Sequence, residues 1–409
     1  MRTILHVDLN NFYASVEMQI NPSLKNKFVA VCGSQENRHG IILAKSENAK
    51  KLGVKTGMVI KDALKLCPSL VLVEAKHDKY LAYSKLVRNI YRDYTDKIES
   101  FGIDECWLDV TGSIKMFGSG EIIGNLIRER VKSELGLTVS VGVSFNKVFA
   151  KLGSDMKKPD GLTVISQENF KEKVWPLSAK ELLFVGNSIY QKLKKINVIT
   201  IGDLANLDSN FVREKFGKWG DTLQTFARGE DTSEVLKDDE TDEVKSVGNS
   251  MTTYRDLITD DDVKIVFTVL AESVSARVKL AGFSGASTLT IYVRDENLFS
   301  ITRQCKLKHP SVLPEDYKNT AFNLFRKNVK QGTVIRTLGI SVSDFNLTEQ
   351  QLSFDDDNYE KLLKLDDAVS NIKNKYGNSS VVKGIVLKDK KFMREDPKSD
   401  HVIHPDGHL

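Results

Sequence analysis

The segment FGIDECWLDVTG, residues 101–112, sets two carboxylates side by side in an otherwise apolar run. Phe101 and Ile103 precede Asp104 and Glu105, and Trp107, Leu108 and Val110 follow them. Adjacent acids repel, and burying either is costly unless it is paired or bound to a metal. A third acid, Asp8, sits at the end of the apolar stretch TILHVDL. Three carboxylates on neighbouring strands make a hard-oxygen site suited to Mg²⁺, which completes its shell with water and phosphate oxygens. Two such ions about 3.5–4 Å apart stabilise the attacking and leaving oxygens of a phosphoryl transfer. Each acid alone has a plainer reading: Asp104 and Glu105 at an exposed hairpin tip, Asp8 as a helix cap.

The elements that must position these acids are legible around them. TILHVDL reads as a buried strand, and NNFYASVEMQ as a helix starting at Asn10 or Asn11, both good N-cap residues. KIESFGIDECWLDVTG reads as a hairpin or strand pair with the two acids inside it. KFVAVCG is a further strand, and SENAKKLGVKTGM a short helix stopped by Gly53. Residues 78–94 and the segment EIIGNLIRERVKSELG form two long helices, and LTVSVGVS a strand after the second. This half is α+β. Short helices with turns dominate residues 166–232, and the polar, acidic residues 234–244 read as an exposed linker.

Residues 245–345 form another α+β unit: a strand, a helix over 261–280, alternating strands such as STLTIYVRD, a helix over 315–330 and a final strand, RTLGISVSDF. That unit holds 14 Lys and Arg against 10 Asp and Glu, a modest footprint of the kind a phosphate backbone attracts. The spacing then predicts one amphipathic helix over 357–376 and a polar, His-containing end that frays.

At 409 residues the chain exceeds what one core usually serves, so two to four domains are expected. Hydrophobic residues at 41% exclude a disordered protein. No apolar run approaches the roughly 18 residues of a membrane span. Asp8 interrupts the first apolar stretch too early for a cleavable signal. Cys32, Cys67, Cys106 and Cys305 lack CxxC spacing, which argues for a reducing cytoplasm and against structural zinc. The net charge of +4 gives weak support for a nucleic-acid partner.

HVDLNNFYASVE and FGIDECWLDVTGS resemble the two catalytic motifs of the Y-family, lesion-bypass DNA polymerases of the bacterial DinB/UmuC type. VGVSFNKVFAKLGSDMKKPDG resembles that family's S-x-NK-xx-AK…KP-x-G segment. LLFVGNSIYQKLKKINVITIGDLANL, continued by KFGKWGDTLQTFARGED, resembles its thumb with a helix-hairpin-helix, and KSVGNSMTTYRDL the opening of its little finger. The resemblance implies an α+β, multidomain, right-hand polymerase. Its palm would be residues 1–18 and 78–165, its fingers 19–77, its thumb 166–233, its linker 234–244, its little finger 245–345 and its tail 346–409.

The resemblance also implies roles. Asp8, Asp104 and Glu105 would hold two Mg²⁺ ions, with the backbone carbonyl of Leu9 as a further ligand. Tyr13 would be the steric gate under the sugar, with Phe12 stacking nearby, and Lys50 and Lys158 would meet the triphosphate. Gly186, with Lys192, Lys194 and Lys195 close by, and Arg255 would contact DNA. QQLSF resembles the short peptide that binds the bacterial sliding clamp, through Gln351, Leu352 and Phe354. The implied partners are primer-template DNA, deoxynucleoside triphosphates and the clamp. The protein would act as a cytoplasmic monomer, without proofreading.

One departure stands out. Many relatives carry Y-x-A-R in the finger helix, where this chain has Glu47-Asn48-Ala49-Lys50. The alternative reading is a non-catalytic DNA- and clamp-binding accessory protein on the same scaffold. A nucleotidyl cyclase with a similar palm would not need the thumb and little-finger segments.

Overall fold

The six residues Ile4–Leu9 (β1) are buried at every position, which requires a central strand covered on both faces. The computed structural model describes residues 2–33, 40–238, 244–346, 357–377 and 379–393. These divide into two compact units.

In the first unit β1 leads into α1 (Phe12–Ile20), followed by β2 (Val29–Cys32), β3 (Ile42–Lys45), α2 (Glu47–Lys51), α3 (Ile60–Leu66) and β4 (Val71–Glu74). Then come α4 (His77–Arg92), β5 (Ile98–Ser100), β6 (Glu105–Asp109), α5 (Ile114–Phe117), α6 (Gly120–Leu135), β7 (Val139–Ser144), α7 (Lys147–Met156) and β8 (Leu162–Ile165). Strands β5-β6-β1-β7-β8 make one sheet and β3-β2-β4 a smaller one. Leu5, Val7, Ile123, Ile127 and Val141 share the core of the larger sheet, and Val54, Ala63 and Cys67 belong to a separate small core around β2 and β3.

Five short helices complete the unit: α8 (Phe170–Val174), α9 (Asn187–Lys195), α10 (Ile201–Asn206), α11 (Ser209–Phe216) and α12 (Lys218–Arg228). Val174, Leu193, Ile201 and Leu223 make their common core.

The linker expectation is corrected over residues 234–238. Val235 is 3% exposed and packs with Ile4, Trp107 and Ala150. The Leu236 N–H donates to Glu99 at 3.0 Å, and Arg92 binds the Asp238 carboxylate at 2.6 Å. One buried valine and two acid-directed contacts fasten a segment whose composition alone reads as solvated.

The second unit is a four-stranded antiparallel sheet, β11-β10-β12-β9, under two helices. Its elements are β9 (Ser246–Leu257), α13 (Asp260–Leu280), β10 (Gly285–Asp295), β11 (Ser300–Ser311), α14 (Pro314–Asn328) and β12 (Ile335–Asn346). Helix α15 (Asp357–Tyr376) then docks on α13, with Lys373 2.7 Å from Glu272 and Lys279 2.5 Å from Asp366. The end is not frayed as far as residue 393. Two 3-10 turns, Gly384–Lys388 and Lys390–Met393, bury Val386 and Phe392 against this unit's core. Two apolar anchors spaced through a polar segment suffice to hold it down. Among the described residues no helix is long and apolar enough to cross a membrane.

Candidate active site

Antiparallel pairing of β1 and β6 places Asp8 opposite Glu105. Asp104 lies just before β6, and its carbonyl accepts the Leu9 N–H at 3.0 Å. The turn before it needs Gly102, which has φ +152° and whose missing Cβ would stand 3.3 Å from the Asp104 carboxylate. All three acids therefore meet at one end of the β1–β6 pair, lining a cavity of about 280 Å³ with Leu9 and Phe12.

Helix α7 brings the opposing charge. It crosses β7 so closely that a Cβ at Gly142 would lie 1.9 Å from the Ala150 carbonyl oxygen. Lys151 thereby reaches Glu105 at 2.6 Å and Asp8 at 3.7 Å. Lys158 lies 2.7 Å from Asp8 and 2.8 Å from Asp155. Its turn is tied to the head of β1 because Asn10 Oδ1 accepts the Asp160 N–H at 2.8 Å. Beneath the acids, buried His6 sets Nε2 3.2 Å from Glu105 and Nδ1 2.8 Å from Ser154 Oγ.

The three acids consequently titrate apart. Burial alone pushes Glu105 up, but His6 and Lys151 outweigh it and hold the carboxyl down at about 2. Burial raises Asp8, with Lys158 opposing. Burial, then the charges of Glu105 and Asp8, push Asp104 up to about 7. Asp104 makes no ion pair among the described residues, whereas its two neighbours do.

No group of three or more His, Cys, Asp or Glu among the described residues closes into a metal shell as it stands. Two ammonium groups reach the acids instead. The donor chemistry nevertheless fits a divalent ion: hard oxygens only, one carboxyl without a cation, and two that each face a lysine ammonium.

At the start of α1, Phe12 is buried and Tyr13 is half-buried. The Tyr13 ring stacks on Tyr80 at 4.1 Å and 12°, with His77 edge-on at 5.8 Å. Tyr80 in turn donates to the buried Glu17 carboxylate at 2.8 Å. The expected side-chain cap of α1 is absent. Asn11 takes φ 51° and its amide instead donates to Glu47 at 3.0 Å. Glu47 also lies 3.4 Å from Lys50, so the finger acid is turned inward onto its own neighbours.

The expected DNA contacts are not brought together. Gly186 is the N-cap of α9, with φ −73° and open space where a Cβ would stand. Lys192, Lys194 and Lys195 occupy the last turn of α9, at the opposite end, where cations complement the helix dipole. Arg255, expected to contact DNA, keeps a partly exposed guanidinium 2.6 Å from Asp262 and 3.0 Å from Asp389. Those partners are the first-turn acid of α13 and a residue of the C-terminal segment. Gln351, Leu352 and Phe354 lie outside the described residues.

The sequence reading passed over Lys151, although the AK pair of its own motif held it, and Lys45, for which no pattern speaks. It also passed over the open face of the second sheet. Four rungs there carry Lys306, Thr288, Ser343 and Ser246, then Gln304, Thr290, Ser341 and Gly248, then Thr302, Tyr292, Gly339 and Ser250, then Ser300, Arg294, Thr337 and Thr252. Period-two alternation of small polar residues on the outward side was the available signal.

Comparison with known proteins gives matches in both units. Residues 7–155 match the impB/mucB/samB family and residues 244–354 that family's C-terminal domain. DNA polymerase IV of Acetivibrio thermocellus is 49% identical over 397 residues, covering 96% of this chain and 99% of that one. DNA polymerase IV of Pelotomaculum thermopropionicum is 34% identical over 394 residues, covering 96% and 97%. Among solved structures, the Y-family DNA polymerase chimera Dbh-Dpo4(243-245)-Dbh is similar with TM-score 0.73 and 26% identity. It covers 85% of this chain and 100% of that one. The insertion ternary complex of Dbh DNA polymerase is similar with TM-score 0.59, 26% identity and the same coverage.

Proposed function

The chain belongs to the impB/mucB/samB family, that of the Y-family lesion-bypass DNA polymerases, and we propose that the acid cleft at the head of β1 and β6 is where it extends a primer. It is a template-directed DNA polymerase, and a divalent metal belongs to its chemistry. The observation that carries the reading of the cleft is the Asp104 carboxyl, left without a cation between two acids that have one.

We assign the metal to two Mg²⁺ ions held by Asp8, Asp104, Glu105 and the Leu9 carbonyl. Bound there, they would supply charge neutralisation for the triphosphate and for the attacking and leaving oxygens. The chain's own residues do the rest. Lys151 and Lys158 neutralise Glu105 and Asp8 beforehand, and on leaving them become point charges for phosphate. Tyr13, pinned by Tyr80, supplies a flat wall against a 2′-hydroxyl. Asn10, through the Asp160 N–H, holds the Lys158 turn at the cleft.

The domain assignment is palm 1–18 and 78–165, fingers 19–77, thumb 166–233 and little finger 245–345, with the link beginning after residue 238. The hydroxyl-rich face of the little-finger sheet suits a duplex backbone, since small side chains allow close approach and Lys306 stands at its edge. The N–H groups at the start of α9, after Gly186, suit a second backbone phosphate. Gln351, Leu352 and Phe354 are assigned to the sliding clamp, and the protein to the cytoplasm as a monomer without proofreading.

The test is primer extension with Mg²⁺ and four deoxynucleotides on undamaged and abasic templates, beside an Asp104→Ala/Glu105→Ala double variant. Extension by the wild type alone is expected. No extension by either, with DNA binding intact, favours the accessory reading.

A further inference from the structure

Three lysines line the cavity that holds the acids: Lys45, Lys50 and Lys158. Two of them face carboxylates while the cavity is empty of nucleotide. Lys158 pairs with Asp8 and Asp155. Lys50, which stands where relatives carry the arginine of Y-x-A-R, pairs with Glu47. The net charge of that finger pair is zero, and it offers the cavity little attraction for an anion.

Lys45 differs. It is the last residue of β3, immediately before the Ser46 cap of α2, so the strand end directs it at the cavity. Its ammonium has no carboxylate partner among the described residues. It donates to Thr56 Oγ1 at 3.0 Å, and that hydroxyl is itself anchored on the Leu43 carbonyl at 3.3 Å. A neutral hydroxyl orients the cation without cancelling its charge. Burial, then Lys50 and Lys158 with Glu47 opposing, depress the Lys45 ammonium, as expected of a cation held among other cations. A polyanion entering the cavity relieves that repulsion.

We propose that Lys45 is a phosphate-binding residue of the nucleotide site, gripping the triphosphate tail from the strand end in a finger where Lys50 shares its charge with Glu47. This deepens the polymerase reading and rests on it. The substitution of Glu47 for the usual tyrosine is then matched by a cation two residues earlier. The finger keeps its charge on the triphosphate but moves it from helix to strand.

The experiment is single-nucleotide insertion by wild type, Lys45→Ala, Lys45→Arg and Lys50→Ala, with KM and kcat resolved separately. Beside it, calorimetry reads the binding of inorganic tripolyphosphate with Ca²⁺. Lys45→Ala is expected to raise the nucleotide KM by about 10- to 100-fold, the scale of one hydrogen bond to a charged group, with kcat changed far less. Tripolyphosphate affinity falls by the same factor, DNA affinity stays level, and Lys45→Arg recovers most of the loss. Lys50→Ala has the smaller effect. An unchanged nucleotide KM in Lys45→Ala, or a larger effect from Lys50→Ala, overturns the proposal. So does weakened DNA binding with tripolyphosphate affinity intact. Absence of wild-type insertion would instead count against the polymerase reading, while the tripolyphosphate measurement still reports on Lys45.

Discussion

Asp104 controls how the cleft responds to pH. Its carboxyl, at about 7 in the folded protein against an ordinary 3.8, is raised by burial and by its two acidic neighbours. A raised value means that stability from this group is present below the ordinary value and is lost as pH rises through about 7. The metal-free protein should therefore melt lower at about pH 8 than at about pH 6, and a divalent ion should restore the difference. Metal affinity moves the other way, falling about tenfold per unit below the Asp104 value because a proton must leave first. Melting curves with and without Mg²⁺ across this window check both signs, and Asp104→Asn should flatten them. Tyr13→Ala should admit ribonucleotides about 10- to 200-fold better, read as the ratio of kcat/KM for the two sugars. The convergence of the three acids was legible because their neighbours form recognisable motifs. The placement of Lys45 was not, because only the folded finger sets the end of β3 at the cavity and Thr56 against its ammonium.

At the scale of elements, the crossing of α7 over β7 sets where Lys151 and Asp155 stand. A methyl group at Gly142 has no room against the Ala150 carbonyl, so Gly142→Ala must push the helix away. The expected result is destabilisation by about 3 kcal/mol, as for a severe overpacking, with extension activity lost even below the melting temperature. Denaturant unfolding and primer extension on one preparation check this; a stable, active variant refutes the account. Most strands and helices were readable from apolar periodicity, β1 and α4 above all. The capping of α1 and the anchoring of residues 234–238 were not. The first depended on Glu47, distant in sequence, and the second on the pocket around Val235 made by Ile4, Trp107 and Ala150.

For the whole molecule, DNA binding should depend on ionic strength through the second unit's open sheet face. Plotted as log affinity against log salt, binding should fall steeply, and replacing Lys306 and Lys308 together by Ala should reduce the slope by about 2. Equal weakening at every salt concentration would place these lysines outside the phosphate contacts. Family membership was legible at this scale because the resemblance spans motifs in the right order. The fate of Arg255 was not, since its partner Asp389 comes from a segment that composition marks as loose.

That segment has a practical side. Phe392 is wholly buried, and its ring lies 5.1 Å from that of Tyr254 in the first strand of the second unit. A chain shortened to end at residue 377 would leave this ring's socket and the Val386 site facing solvent. Such a product should be recovered poorly and drift toward aggregates during purification, while the 409-residue chain stays in solution. Trimming the polar C-terminus to obtain better crystals would thus remove part of the core of the domain that it follows.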